Sequence, residues 1–359
     1  MTEEQHPKPI TSIPGIDIGK LMNPGTELRQ PMQGFDPDYV DIVDYIIRCT
    51  HKIWEEGAAG LVYTHYSHHA TMFTADGFVY GREDWVNHTV QAQAAFPDRK
   101  PIAHDVIWTG NDQDGYYTSH LVRSMGTNTG YTEFGPPTGR RIARWGVANC
   151  LIKENYIFSE WVIGDQMAVI MQMGYDPYAL AREHAQLPPP PGARKESYGE
   201  VERLRGQLPP EGLEKYNTTP QGIEDLVRTT LHELWNLRLF NRIRERYTEN
   251  FTCFTVPERY IYGRSDYRTF VTSMIAAFPD LAFNIDHLCW MDDGNDRYRV
   301  AVRWNLVGTH RGPSKYGKPT GKRVRILGTS HIHIHNGKFV HEHFIFDEFA
   351  LLKQLFAAD

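Results

Sequence analysis

The chain repeats itself. Displaced by 182 positions, Tyr80–Gln172 aligns with Tyr262–Gln354 without a gap, and 27 of the 93 aligned positions are identical, against roughly six expected by chance for ordinary composition. The identities cluster in Tyr80-Gly81-Arg82 with Tyr262-Gly263-Arg264, and in Ala94-Ala95-Phe96-Pro97-Asp98 with Ala276-Ala277-Phe278-Pro279-Asp280. They continue in Gly126-Thr127 with Gly308-Thr309, in Pro137-Thr138-Gly139 with Pro319-Thr320-Gly321, and in Glu160 and Asp165 with Glu342 and Asp347. Two copies of one domain follow. So long a period, present only twice, excludes a solenoid.

At 359 residues the chain has room for two domains. The repeat predicts an N-terminal arm over 1–35, a first domain over 36–173, a linker over 174–219 and a second domain over 220–359. The linker carries Pro188-Pro189-Pro190-Pro191-Gly192 and Pro209-Pro210 around a charged, helix-compatible stretch, Glu196–Arg205, and reads as a semi-rigid connector.

Each copy reads helix first and strands last. Asp36-Pro37 predicts a helix start with Asp36 as N-cap, followed by Ile42, Ile46, Ile53 and Trp54 at helical spacing. Thr219-Pro220 opens the matching run, Ile223 through Phe240 and on to Arg246. A second helix follows Arg82 and Arg264 and stops at Phe-Pro-Asp. Four strands follow in each copy: 102–108, 116–125, 140–152 and 156–164, then 282–290, 297–307, 323–335 and 338–346. Asn336-Gly337 is a two-residue hairpin signal, with Glu154-Asn155 in its place in the first copy. Asp165 and Asp347 precede short apolar helices and read as N-caps. Helices before an antiparallel meander give an α+β class.

This order of motifs resembles the SnoaL-like polyketide cyclases of the nuclear transport factor 2-like superfamily. In the second copy the resemblance rests on Phe278-Pro279-Asp280, Gly308-Thr309-His310-Arg311-Gly312, Lys318-Pro319-Thr320-Gly321-Lys322-Arg323, Asn336-Gly337-Lys338 and Asp347. In the first it rests on Phe96-Pro97-Asp98, Gly126-Thr127-Asn128-Thr129-Gly130, Pro137-Thr138-Gly139-Arg140-Arg141, Glu160-Trp161 and Asp165. The resemblance implies two conical α+β barrels, each with a deep pocket, paired sheet to sheet as an intramolecular pseudo-dimer. It also implies cyclase, isomerase, dehydratase, hydrolase or simple ligand-binding roles. The acid/base Asp of such cyclases falls on Val162 and Phe344, and its helper His near Ala148 and Ser330. Any chemistry must therefore use other groups.

Strand alternation offers candidates. With Ala103 and Ile107 facing the core, Asp105 faces inward too, and a carboxylate in an apolar cone is a general acid or base near neutrality. His120 is its expected partner. Tyr66, His68, Thr71 and Glu160 would orient a substrate, and parity brings His287 inward in the second copy, where Arg303 and Trp304 replace Leu121 and Val122. The plain alternative is an inert, hydrogen-bonded Asp105 at a strand end. His331, His333 and His335 alternate on one strand, and the tight turn pairs His331 with Glu342, which invites a metal reading. Ile332, Ile334 and Phe339 form the apolar face of that hairpin, so the imidazoles are expected on the opposite side and no metal is assigned. Gly81-Arg82 and Gly263-Arg264 read as turn and helix-start features.

A net charge of −6 lacks the basic field that nucleic acid requires. Four cysteines without metal-type spacing suggest reduced thiols in a cytoplasmic setting. The polar start, broken by Pro7, Pro9 and Pro14, does not read as a signal peptide, and no apolar run is long enough to span a membrane. The expectation is a cofactor-independent lyase, isomerase or hydrolase acting by acid–base catalysis on a small, largely apolar molecule. The alternative is a non-catalytic binding or scaffold protein of the same fold. The partners expected are a small-molecule ligand and, as a homo-oligomer, further copies of the pseudo-dimer.

Overall fold

The structure is a computed structural model and describes residues 13, 18–188, 193–194 and 222–358. The Thr219-Pro220 helix start and the Glu196–Arg205 stretch lie outside the described residues. The chain divides into two compact units, one of residues 1–73 and 78–162, the other of 74–77 and 163–359.

The first unit opens with α1 (Ile18–Met22) and α2 (Ile42–Trp54), then a short 3-10 turn and α3 (Val62–His65). A hairpin β1 (Tyr66–Thr74) and β2 (Gly77–Tyr80) leads into α4 (Arg82–Ala95). The meander β3 (Lys100–Asn111), β4 (Gly115–Thr127), β5 (Arg141–Lys153) and β6 (Tyr156–Gly164) follows. Helices α5 (Gln166–Met173) and α6 (Pro177–His184) and the two-residue β7 (Ala193–Arg194) come next. The second copy repeats the plan. It has α7 (Ile223–Leu231), a π turn at His232–Asn236, α8 (Arg242–Arg246), β8 (Tyr247–Thr255), β9 (Arg259–Tyr262) and α9 (Gly263–Ala277). The strands β10 (Ala282–Gly294), β11 (Arg297–Thr309), β12 (Arg323–His335) and β13 (Lys338–Phe346) end in α10 (Glu348–Phe356).

The sheets run β3-β4-β5-β6-β1-β2 and β10-β11-β12-β13-β8-β9. Among the described residues neither closes into a barrel, so each unit is an α+β layer with an open sheet. In both, the first strand of the hairpin that precedes α4 or α9 joins the last strand of the meander in parallel, β1 to β6 and β8 to β13. The β1–β2 and β8–β9 hairpins are additions to the expected meander. Their sequences hide between two helices, with Tyr66, Ala70 and Met72 buried in β1 and Tyr247, Phe251 and Cys253 in β8.

Helix α2 starts later than Asp36-Pro37 suggests. Asp41 is the N-cap, its Oδ1 accepting from the Asp44 backbone N–H at 2.8 Å. Asp36 instead binds Asn155, whose Nδ2 donates to its Oδ2 at 3.1 Å. Ile42, Ile46, Cys49 and Ile53 then form one buried stripe at helical spacing. In the second copy the expected single helix to Arg246 breaks, because Arg238 takes a left-handed φ of 59°.

Most repeated identities are scaffold. The Asp98 carboxylate accepts from Thr127 backbone N–H at 2.6 Å and Oγ1 at 2.7 Å, and Asp280 does the same with Thr309 at 2.6 and 2.8 Å. Gly130 and Gly312 pass so close to the carbonyls of Ala94 and Ala276 that a Cβ has no room. Asp165 and Asp347 are N-caps, accepting from Ala168 and Ala350 backbone N–H, each at 3.0 Å. Arg82 and Arg264 donate to the carbonyls of Tyr63 and Arg244, a structural role at the helix start.

Candidate active site

Cross-strand partners in an antiparallel pair share a face, so the register assigns each side chain. In the first unit Val106 pairs with His120, His120 with Ala148, and Thr118 with Cys150. Val106, Cys150 and Tyr116 belong to the core packed on α2, which places Thr118, His120, Val122 and Ser124 on the inner face of β4. Cys150, Ala148, Gly146 and Arg144 form the inner face of β5. Glu160 joins them from β6, opposite inward-facing Met72.

A polar strip crosses this face. Tyr66 Oη donates to Glu160 Oε2 at 2.8 Å, and the Cys150 thiol hydrogen-bonds Glu160 beside buried Thr118. Burial disfavours the Glu160 carboxylate and, against the hydrogen bonds from Tyr66 and Cys150, pushes it up to about 7. A carboxyl at that value exchanges its proton near neutrality. His120 lies one step along β4 from Thr118, on the same face.

The second unit keeps the carboxyl and loses the rest. Tyr267 Oη donates to Glu342 at 2.9 Å, and burial, opposed by hydrogen bonds from Ser330 and Tyr267, pushes Glu342 up to about 7. Thr118, His120 and Cys150 become Val300, Val302 and Ile332. Its interior is filled by rings: Trp304 stacks on Phe344 with centroids 4.4 Å apart, and Trp235 stacks on Phe344 at 5.5 Å and on Phe283 at 5.7 Å. Gly328 receives the Trp304 ring.

The first unit has Val122, Val162 and Pro101 where Trp304, Phe344 and Phe283 stand. Its inner wall is accordingly more exposed. Arg144, Gly146, Ala148 and Val162 are half-buried, whereas their counterparts Ile326, Gly328, Ser330 and Phe344 are buried. Glu160 retains 6% exposure and Glu342 none. The first interior keeps partly exposed side chains around a protonatable carboxyl, and the second is filled by rings.

The expected Asp105–His120 pair does not form. A bulge at His104, between the pairs Ala103↔Val122 and Asp105↔Leu121, adds a residue to β3 and reverses its parity. Asp105 is therefore buried on the opposite face of the sheet from His120. The same bulge recurs at Asp286, so His287, paired with Arg303, faces away from the Trp304 interior instead of into it. Burial, with Arg303 next, lowers His287 to about 4. Tyr66 and Glu160 come together. His68 does not join them: β1 loops out between the pairs Tyr66↔Ile157 and Thr71↔Ser159, leaving His68 exposed against His69. Thr71, between inward Ala70 and Met72, is half-buried on the outer face.

His331, His333 and His335 lie opposite Ile332 and Ile334, as the apolar pattern indicates. The tight turn does not pair His331 with Glu342. The shift between His333↔His341 and Ile334↔Phe339 leaves Val340 as an extra residue, so His331 meets His343 and Glu342 turns inward beside Ile332. Among the described residues no group of three or more His, Cys, Asp or Glu side chains is placed to hold a metal ion.

Alternation alone missed Cys150 and Thr118, and with them Arg99, Arg144 and His88 at the other end of the same face. The signal that reveals them lies in the repeat: each is polar in the first copy and apolar in the second, as Ile332, Val300, Leu281, Ile326 and Phe270.

Comparison with known proteins agrees with this architecture. Residues 225–355 match the model of the SnoaL-like polyketide cyclase family. The second copy is therefore similar to SnoaL-like domains over these residues, and the first copy repeats its strand order, so the chain is a tandem pair of α+β domains of one plan. Among solved structures, a putative SnoaL-like polyketide cyclase from Jannaschia sp. CCS1 is 18% identical. The match covers 40% of this chain and 99% of that one, with a TM-score of 0.34. IdmH, a putative polyketide cyclase from Streptomyces antibioticus, is 21% identical over 37% of this chain and 97% of its own, with a TM-score of 0.32. No curated protein matches the chain.

Proposed function

We propose that the first unit is a cofactor-independent acid–base catalyst, of the lyase, isomerase or hydrolase kind, acting on a small and largely apolar organic molecule. The observation that carries this reading is the polar strip on the first unit's partly exposed inner face, set against an equivalent position that is apolar and ring-filled in the second unit. Glu160, held near 7 by burial, takes a proton from an activated carbon or returns one to a leaving group. Tyr66 Oη and the Cys150 thiol hold the carboxylate in place, and His120 accepts or supplies the second proton. Val122, Ala148 and Val162 supply the apolar wall, and the second unit serves as scaffold.

The test uses a substrate that reports proton abstraction by a desolvated carboxylate, 5-nitrobenzisoxazole. Removal of its ring C–H proton by the base breaks the N–O bond and releases a coloured cyanophenolate. Turnover is expected to rise with pH through about 7, the Glu160 value, and to fall about 100-fold or more in Glu160→Gln. Unchanged turnover in that variant refutes the assignment.

One observation favours the non-catalytic alternative. The Tyr267–Glu342 pair repeats the carboxyl–phenol contact where nothing can bind, so that contact has a structural use of its own. Under that alternative the first interior binds the benzisoxazole without converting it. We also assign the protein to the cytoplasm, reading its four buried free cysteines as thiols kept reduced. Among the described residues no helix is long and apolar enough to cross a membrane.

A further inference from the structure

A ligand reaches Glu160 only if part of the first unit moves. Glu160 is 6% exposed, Cys150 beside it 2% and Thr118 0%. The elements that carry this strip and Tyr66 are β1, β4, β5 and β6, joined strand to strand in one sheet. The N-terminal arm is built differently: residues 23–36, between α1 and α2, take neither helix nor strand.

The arm crosses the hairpin end of the first sheet as a strap. Gln33 backbone N–H donates to Asp112 Oδ2, in the β3–β4 turn, at 2.9 Å, and Asp36 backbone N–H donates to Asn155 Oδ1, in the β5–β6 turn, at 3.1 Å. Between these two buckles Phe35 turns inward, edge-on to Tyr45 and Tyr116 with centroids 5.1 and 5.9 Å away. Tyr116 pairs with Ile152 as Thr118 pairs with Cys150, so the ring under Phe35 is one same-face step from the strip, about 7 Å along the strand. The strap is also strained. Met32, buried at its bend, takes a left-handed φ of 53°, which a residue with a Cβ adopts only at a cost. Release of the strap relieves that strain and so lowers the cost of opening.

We propose that residues 23–36 are a lid over the buried strip, which opens to admit a ligand to Glu160 and closes with Phe35 to exclude water from it. Opening breaks the two buckles and withdraws Met32 and Phe35. Those side chains share one core with Tyr45, Tyr116, Cys49 and Cys150, so their departure uncovers both thiols. The lid deepens the acid–base reading and rests on it for what happens at Glu160, while the motion stands on the strap's own geometry.

The test is labelling of the full chain with N-ethylmaleimide, each cysteine being read by mass spectrometry of its peptide. Cys49 and Cys150 are expected to label through the open lid, at a rate that urea below the unfolding transition changes by less than about threefold, because a local opening exposes little surface. Labelling that climbs with the full urea dependence of global unfolding overturns the proposal without need of a variant. Phe35→Ala removes the anchor and is expected to speed labelling of both about tenfold or more. Gln33→Cys with Asp112→Cys, once oxidised, ties the strap to the β3–β4 turn. Labelling of Cys49 and Cys150 then slows about tenfold or more and recovers on reduction. Benzisoxazole turnover separates the two readings. Slowed labelling in the bridged protein, alongside absent turnover in the unmodified one, upholds the lid and rejects the acid–base assignment. Turnover that continues undiminished in the bridged protein does the reverse.

Discussion

Replacing Glu342 by Gln isolates the energetic consequence of a sealed carboxyl. Glu342 is fully buried, and its carboxyl moves from an ordinary value of 4.5 to about 7 because burial penalises the charged form more than Ser330 and Tyr267 compensate it. Between those values the folded chain holds a proton that the unfolded chain releases, so unfolding becomes easier as pH rises through the window. At about 1.4 kcal/mol per pH unit, the full span is worth about 3 kcal/mol, present below pH 4.5 and gone above pH 7. The Gln amide cannot ionise and does not feel this loss. Glu160, Asp165 and Asp347 are also raised to about 7, chiefly by burial, and add the same sign in both proteins. The quantity to read is therefore the difference between variant and wild type. Urea unfolding followed by tryptophan fluorescence is expected to find Glu342→Gln equal to or slightly less stable than wild type at pH 5. At pH 8 it gains relative to wild type by about 2–3 kcal/mol. An identical gap at both pH values refutes the assignment of burial as the cause.

Asp280 carries the opposite sign. Burial opposes its ionisation, but the Thr309 hydrogen bonds outweigh burial and hold the carboxyl below its ordinary value. Asp280→Ala should cost about 1–2 kcal/mol at pH 7, a penalty that urea titration finds shrinking as pH falls toward 3. Gly312→Ala forces a Cβ onto the Ala276 carbonyl and should lower stability by about 2 kcal/mol or more, seen as a drop in the thermal midpoint, whereas Gly321→Ser meets open space and costs only the left-handed φ of 72°, about 1 kcal/mol.

The repeat made the fold legible because its identities record geometric necessity. Asp98 and Asp280 must meet Thr127 and Thr309, and Gly130 and Gly312 must slip under a carbonyl; such positions tolerate little else. The site was harder to read for two physical reasons. Alternation carries a side chain's direction only while the register is unbroken, and the bulges at His104 and Asp286 each turn it over with no Gly or Pro to mark the place. The loop-out of β1 displaces His68 in the same silent way. Tyr66 and Glu160 survived because each lies beyond such an irregularity, on a stretch whose apolar neighbours fix its face. The functional end of the first interior is written in the differences between the copies instead. Val122 against Trp304, His120 against Val302 and Arg99 against Leu281 are the positions where one unit keeps space and charge and the other fills with hydrocarbon.

The most direct measurement is the stoichiometry of benzisoxazole binding to the full chain before and after Val122→Trp. The new ring would enter the space over Gly146 as Trp304 does over Gly328, closing the first interior with the second unit's own device. One site per chain is expected, vanishing in the variant while the thermal midpoint holds or rises. Two sites in the unmodified protein, or a single site that survives the substitution, would contradict an open first interior beside a sealed second one.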